Sequence, residues 1–276
     1  MSKREVYIIE PPKGFIRVNF REIWQYKELL FILIWRNIKV RYKQTIVGAA
    51  WVILQPIFTM IIFTIFLGII AKLPSDNVPY PIFIFTGLIY WNFFAAALTG
   101  ASNSLIESQN IIKKIYFPRL IIPLAATITP AIDFLLVFLI LLGLMAYFHQ
   151  KLFFGGILMM PVLIVIAFLA ATGIGLIMAS INAKYRDIQF ALGFLTQVLF
   201  YVTPIIYPIS LVPEKYRWLA YFNPMAGIIN VGRNSLLGNQ PIDFLALSVS
   251  FGISLVLLII GIIYFGKSEQ TVADIL

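Results

Sequence analysis

The chain of 276 residues contains no cysteine, which excludes disulfides and thiolate metal sites and leaves the redox compartment unread. Charge is scarce as well: charged residues make up 12% of the chain against 61% hydrophobic, far outside the averages of soluble domains. Histidine occurs once, as His149 beside Lys151. A metal site needs several ligands, so a solvated loop histidine and no metal are expected. The first 28 residues carry charges throughout and lack a continuous apolar core, unlike a signal peptide.

What the chain has instead is long apolar runs. Uncharged stretches of 28, 30, 32, 26 and 23 residues follow Lys43, Asp76, Lys151, Asp187 and Asp243. About 20 apolar residues in a helix cross the hydrocarbon of a bilayer, and the shorter alternating segments of a barrel are not seen. The expectation is an all-α, polytopic membrane protein with six transmembrane helices, near Gly48–Ala71, Pro81–Ala101, Ile121–Ala146, Ile157–Ile181, Ile188–Ile209 and Ile242–Gly266. The third is the least regular, because Asp133 interrupts it and Pro118, Pro123 and Pro130 crowd its start. Trp218–Gly232 holds 15 uncharged residues, too few to cross, and fits a re-entrant or interfacial hairpin between helices 5 and 6. The chain then divides into an N-terminal segment (1–47), a transmembrane domain (48–266) and a tail (267–276).

Sixteen of the Lys and Arg residues fall on one side of this topology and five on the other. The positive-inside rule puts the larger group, and both chain ends, in the cytoplasm. The net charge of +9 then reads as topology and contact with anionic lipid, not as a nucleic-acid surface, since no soluble domain remains to present one.

Residues 20–42 alternate in the helical manner: Phe20, Ile23, Trp24, Phe31, Ile34, Ile38 and Tyr42 can share one side. Arg21, Glu22, Gln25, Arg36, Lys39 and Lys43 populate the other. Such an amphipathic interface helix lies along the membrane surface, as an anchor or as a platform for a partner protein. The polar, then basic loop Ser102–Arg119 could form one short helix, or be an ordinary connection. Gly261–Ser268 satisfies the pattern of a phosphate-binding Walker A loop. It follows no strand and ends an apolar span, so nucleotide chemistry there is rejected. If ATP is used, another chain supplies the ATPase. Asp133 is the one acid in the middle of an expected span. It reads either as an intramembrane functional acid or as a structural hydrogen-bonding residue near the cytoplasmic surface.

Three segments carry a resemblance: LIWRNIKVRYKQTIVGAAWVILQP (Leu33–Pro56), INAKYRDI (Ile181–Ile188) and FYVTPIIYPISLVPEKYRWLAYFNPMAGIINVGRNSLLG (Phe200–Gly238). With Phe117-Pro118-Arg119 and Asp133 they resemble the permease subunits of ATP-binding-cassette exporters of polysaccharide and polyol phosphate (O-antigen, teichoic acid or capsule type). Asn37 departs from the pattern, standing where an acid would follow Arg36. The resemblance implies a homodimer in the bacterial inner membrane, with two copies of a separate ATPase that binds ATP and Mg. By the same resemblance this chain itself would bind no cofactor and carry no catalytic residues. It also implies ATPase contact through the surface helix and the second-to-third loop (Arg21, Glu22, Glu107, Gln109, Lys113, Lys114). The hairpin (Trp218, Tyr221, Asn223, Arg233) would close the extracytoplasmic mouth.

The implied cargo is a glycan on a polyprenyl pyrophosphate. Pyrophosphate needs cations, and Arg36, Lys39, Arg41 and Lys43 sit where the surface helix meets the first span. A sliding glycan needs aromatic faces. Trp51 and Phe58 share a face of the first span, Tyr90 and Phe94 one of the second, and Phe194 and Tyr201 one of the fifth. Packing or an interfacial belt is the plainer reading of each. Alternatives are an exporter of drugs or small lipids with the same fold, and an intramembrane transferase, for which Asp133 alone is a poor constellation.

Overall fold

A computed structural model describes residues 20–43, 49–185, 187–238 and 240–275. In apolar surroundings each backbone N–H and C=O must find its partner within its own segment, which makes the long uncharged runs helical. In chain order, α1 (Phe20–Gln25) and α2 (Lys27–Lys43) precede α3 (Ala49–Phe63), which continues as a π-helical stretch, Thr64–Ile70. Next come α4 (Tyr80–Glu107), α5 (Gln109–Ile112), α6 (Ile121–Ile128), α7 (Pro130–Tyr147) and α8 (Phe154–Lys184). The chain ends with α9 (Ile188–Val202), α10 (Glu214–Tyr221), α11 (Pro224–Leu237) and α12 (Phe244–Ile275). The all-α expectation holds: the described residues contain no strand.

Five helical stretches among the described residues are long and apolar enough to cross a membrane: Ala50–Ile70, Tyr80–Glu107, Ile121–Tyr147, Phe154–Lys184 and Phe244–Glu269. The expected fifth span is shorter, the 15 residues of α9. At 1.5 Å per residue these reach about 22 Å, less than the roughly 30 Å of hydrocarbon. Proline explains the early stop. Pro204 has no N–H to continue the ladder, and Thr203 before it is extended at φ −77°, ψ 138°. Three other helices overrun their expected ends. α4 takes in Ser102–Glu107, α8 reaches Lys184, and α12 continues to Ile275, so residues assigned to a tail prolong the helix. The third span is broken between α6 and α7 at Pro130, where the Thr129 hydroxyl donates back to the Ala125 carbonyl at 2.8 Å.

The bundle is arranged around α4, which touches α3, α6, α7, α8, α9 and α11. Ile82, Phe85, Tyr90, Leu98 and Leu105 along it are fully buried. A second core lies at one end, where α2 packs on α6. Leu33 of α2 joins Leu105, Phe117, Ile121, Leu176 and Phe265 there. This basic end gathers α1, α2, α5 and the last turns of α8 and α12. Arg119 closes it, its guanidinium and backbone N–H both donating to Glu269. The amphipathic reading of the surface helix needs amending. Tyr26, Leu29, Leu30 and Leu33 face the bundle, while Trp24, Phe31 and Trp35 are exposed on the outer side, so α2 is apolar on two faces. At the opposite end, the stretch expected to form a hairpin is two successive helices, α10 and α11, joined at Phe222 and Asn223. The Asn223 side chain caps α11 by accepting from Met225 N–H, Pro224 opens the helix, and Gly238 closes it at φ 61°.

The Walker-like pattern lies wholly inside α12, and its first glycine has a packing role. A Cβ on Gly261 would sit 2.3 Å from the Gly173 carbonyl oxygen, and one on Gly173 2.4 Å from the Leu257 backbone. α8 and α12 therefore touch backbone to backbone. Gly173→Leu is expected to destabilise the protein by at least about 1–3 kcal/mol, the usual cost of overpacking. Thermal unfolding of the detergent-solubilised chain checks this, and an unchanged midpoint would contradict the packing.

Candidate functional site

A groove of about 1470 Å³ lies between α3, α4 and the α6–α7 break, with the C-terminal part of α2 across its basic end. It follows one face of α4 from Ile89 through Asn92, Ala96, Thr99 and Asn103 to Glu107. The 18 residue steps from Ile89 to Glu107 span about 27 Å at 1.5 Å per residue. The groove's far end is walled by Gln55, Pro56, Ile89, Asn92, Phe93 and Val137, its basic end by Arg36, Arg41, Asn103, Glu107 and Asp133. One end is uncharged and mostly apolar, and the other is charged.

Asp133 finds its partners here. Because Pro130 begins α7, Asp133 falls in that helix's first turn, where a carboxylate is favoured by the helix dipole. Its two oxygens accept from the Arg41 guanidinium and the Tyr42 hydroxyl of α2. The side chains of Arg41 and Asp133 are 38% and 16% exposed, so this pair is less screened than one in open water. Burial first, and then the Asp133 carboxylate, push the Tyr42 phenol above its ordinary pKa, so it remains a proton donor at neutral pH. Asp133 thus ties the start of α7 to the C-terminal end of α2. Arg36 donates to Asn37 Oδ1 at 3.1 Å and to Ser108 Oγ at 3.5 Å. The departure at Asn37 thus gives Arg36 a neutral partner, and Ser108 ties α2 to the turn between α4 and α5.

The residues singled out in the sequence separate into several places. Arg36, Arg41, Trp51, Glu107 and Asp133 meet in the groove. Lys39 and Lys43 are exposed on α2 outside its lining, and Lys39 lies 5.3 Å over the Trp35 ring. Arg21 and Glu22 belong to α1, whereas Gln109 opens α5 and Lys113 and Lys114 follow it. The aromatic stripes diverge. Phe58, Phe194 and Tyr201 are exposed. Tyr90 and Phe94 instead are buried, Tyr90 against Phe134 at 5.5 Å and Phe94 against Trp91 at 5.5 Å. For these two the packing alternative describes the surroundings, since α4 is enclosed at that level. Sequence reasoning missed Asn92, Thr99 and Asn103, although their spacing puts them on one helical face. It also passed over Asn182, which donates to the Ser102 carbonyl at 3.1 Å and to Asn103 Oδ1 at 3.0 Å. Arg186 lies outside the described residues.

At the hairpin end, Trp218 is exposed, whereas Tyr221 donates to Asp243 Oδ2 at 2.8 Å and Asn223 to Thr203 Oγ1 at 2.7 Å. Arg233 is 4% exposed. Its guanidinium donates to the carbonyls of Phe83 (3.1 Å), Pro204 (2.7 Å) and Ile205, and it lies 3.7 Å from the Phe83 ring centroid. It supplies the donors that unwound backbone beyond α9 needs. Its position is that of a brace between the hairpin, α4 and the end of α9.

A helical bundle with apolar outer faces and helices long enough to cross a bilayer is that of a multi-pass membrane protein. The model of the ABC-2 type transporter family matches residues 28–237, and the chain belongs to that family. It is 28% identical to the O-antigen export system permease protein RfbA of Klebsiella pneumoniae, over 90% of this chain and 95% of the relative. It is 27% identical to the protein of the same name from Myxococcus xanthus, over 76% and 80%. To the polysialic acid transport protein KpsM of Escherichia coli it is 21% identical, over 88% and 93%. The chain is thus the multi-pass membrane subunit of an ATP-binding-cassette transporter, and the ATPase is a separate subunit.

Arg233→Leu is expected to cost on the order of 3 kcal/mol, because buried carbonyls lose their donors. Arg233→Lys should recover less than half, since an ammonium lacks the planar fork. Unfolding midpoints of the purified variants measure both, and a fully stable Arg233→Leu would remove the brace.

Proposed function

We propose that this chain is the membrane-spanning subunit of an ATP-driven exporter that carries a lipid-linked polysaccharide across the bacterial inner membrane. The observation that carries the reading is the likeness to O-antigen and polysialic acid export proteins along nearly the whole chain. The groove is consistent with it, because a lipid-linked glycan is an amphiphile with an anionic junction. Six crossings are completed if α9 and the buried stretch after it traverse together. The basic end then faces the cytoplasm with both chain ends, in accord with the excess of Lys and Arg around it.

Two copies pair so that their exposed α3 and α9 faces enclose the route. Phe58, Phe194 and Tyr201 are exposed on those faces, and flat aromatic rings offer a glycan weak contact that permits sliding. Two ATPase copies, carrying ATP and Mg, dock on α1, α2 and the α4–α5 turn. Arg21, Glu22, Gln109, Lys113 and Lys114 are the contact residues, and the Arg36–Ser108 contact joins the two docking elements. ATP-driven closure then moves α2 against α7 through Arg41 and Asp133, and the hairpin yields at the opposite mouth. Arg36, Lys39, Arg41 and Lys43 supply the charge that meets the pyrophosphate.

Deleting the gene is expected to abolish the surface glycan and leave its lipid-linked precursor in the cell. The purified chain should bring its ATPase with it, and Tyr201→Ala should lower export severalfold without changing the amount of complex. Immunoblots of surface glycan and copurification read these outcomes. Undiminished glycan on the deletion strain would defeat the proposal.

A further inference from the structure

We propose that Asp133 is a built-in competitor for an anionic lipid: it occupies the Arg41 guanidinium at the groove mouth and yields it to a phosphate headgroup whose tail lies along α4. This deepens the transport reading above and rests on the groove being where the cargo is taken up. The shape names the occupant's class. At about 1470 Å³ the groove exceeds the usual 300–1,000 Å³ of a small-molecule pocket. It runs from guanidinium groups to a wall of Pro56, Ile89, Phe93 and Val137 whose polar side chains, Gln55 and Asn92, are uncharged, so a long amphiphile with its headgroup at the basic end fits both ends.

Charge then gives Asp133 its role. The charged residues lining the groove are two arginines, Arg36 and Arg41, and two acids, Glu107 and Asp133. The lining is formally neutral and exerts little net pull on an anion. Arg41 is held by Asp133, while Arg36 has neutral partners in Asn37 and Ser108. A phosphate therefore meets Arg36 directly but must displace Asp133 to reach Arg41, where the guanidinium fork suits it. The exchange does not strand the carboxylate. Asp133 retains the Tyr42 hydroxyl as a second donor, which avoids the penalty of an unpaired buried charge. A carrier has to release what it takes up, and a resident carboxylate that competes for the cation limits how tightly the headgroup is held. The same exchange loosens α2 from α7, so cargo binding at the mouth is felt by the helix on which the ATPase docks.

The test uses the permease–ATPase complex in nanodiscs, with a fluorescent prenyl diphosphate and the prenyl alcohol of equal length as probes. Asp133→Asn is expected to tighten diphosphate binding about tenfold, equivalent to about 1.4 kcal/mol, and to leave the alcohol unchanged. In an Arg41→Gln background that gain should disappear, and Asp133→Glu should restore native affinity. A gain that persists without Arg41, or that the alcohol shares, overturns the proposal, as does weaker binding by Asp133→Asn. Inorganic pyrophosphate should compete only at much higher concentration. Competition at equal concentration would show that the tail contributes nothing and overturn the amphiphile assignment. Should Asp133→Asn fail to accumulate, Tyr42→Phe serves instead. Without its second donor Asp133 depends on Arg41, and diphosphate binding should weaken severalfold; unchanged binding is the adverse result. Surface glycan in the same strains separates the two readings: lipid binding altered as expected with normal glycan export would sink the transport reading and leave the competition standing.

Discussion

The enclosure of α4 is the constraint on which the rest of this structure depends. A helix without interior charge can be surrounded by other helices because its own backbone is already paired. Once it is surrounded, its neighbours have no freedom to choose their height or direction. α3, α7, α8, α9 and α11 each touch it, and the groove is the strip of its surface, from Ile89 to Glu107, that α3 and α7 leave uncovered. The closest approaches come where side chains vanish. Gly100 meets the Ala126 carbonyl, Gly175 meets Ala101, and α8 and α12 meet through Gly173 and Gly261. In an apolar solvent such contact replaces the hydrophobic drive that holds a soluble core together.

The two ends solve opposite polar problems. At the hairpin end a proline stops α9 and leaves carbonyls of Pro204 and Ile205 inside the bundle, and one guanidinium answers them together with that of Phe83. That arrangement is rigid, since each donor has a fixed acceptor and the arginine is buried. At the basic end the arginine is partly exposed, its partner is a carboxylate, and a second donor stands by. Three groups sharing two bonds can exchange. One arginine braces the fold and the other can be competed for, a difference that follows from burial and partners rather than from residue type.

Much of the fold was legible because the periodicity of a membrane helix is not needed to find it; the absence of charge over more than 20 residues suffices. The irregular third span was visible in Pro130 and Asp133, and the shortness of Trp218–Gly232 agrees with the short helices α10 and α11 found there. The early end of α9 was less so, because Ile205, Ile206 and Ile209 continue the apolar run beyond the proline that stops the helix. The site was legible in fragments. Arg41 and Asp133 were both singled out, but for different roles. They are 92 positions apart in the chain, and only the packing of α2 across the α6–α7 break brings them together. Tyr90 and Phe94 show the reverse error: a stripe of aromatics at helical spacing reads alike whether its face borders a passage or a neighbouring helix.

The sequence by itself determined the class of molecule, the places of its long apolar segments and the concentration of basic charge at one end, because these depend on local transfer free energies that no partner alters. Which face of each helix is covered depends on who its neighbours are, and that only the tertiary structure decided. It turned α2 from a helix with one apolar side into one with two, and placed the Walker-like glycine in a helix crossing. It also converted Asp133 from an isolated acid in an apolar span into the partner of Arg41 and Tyr42.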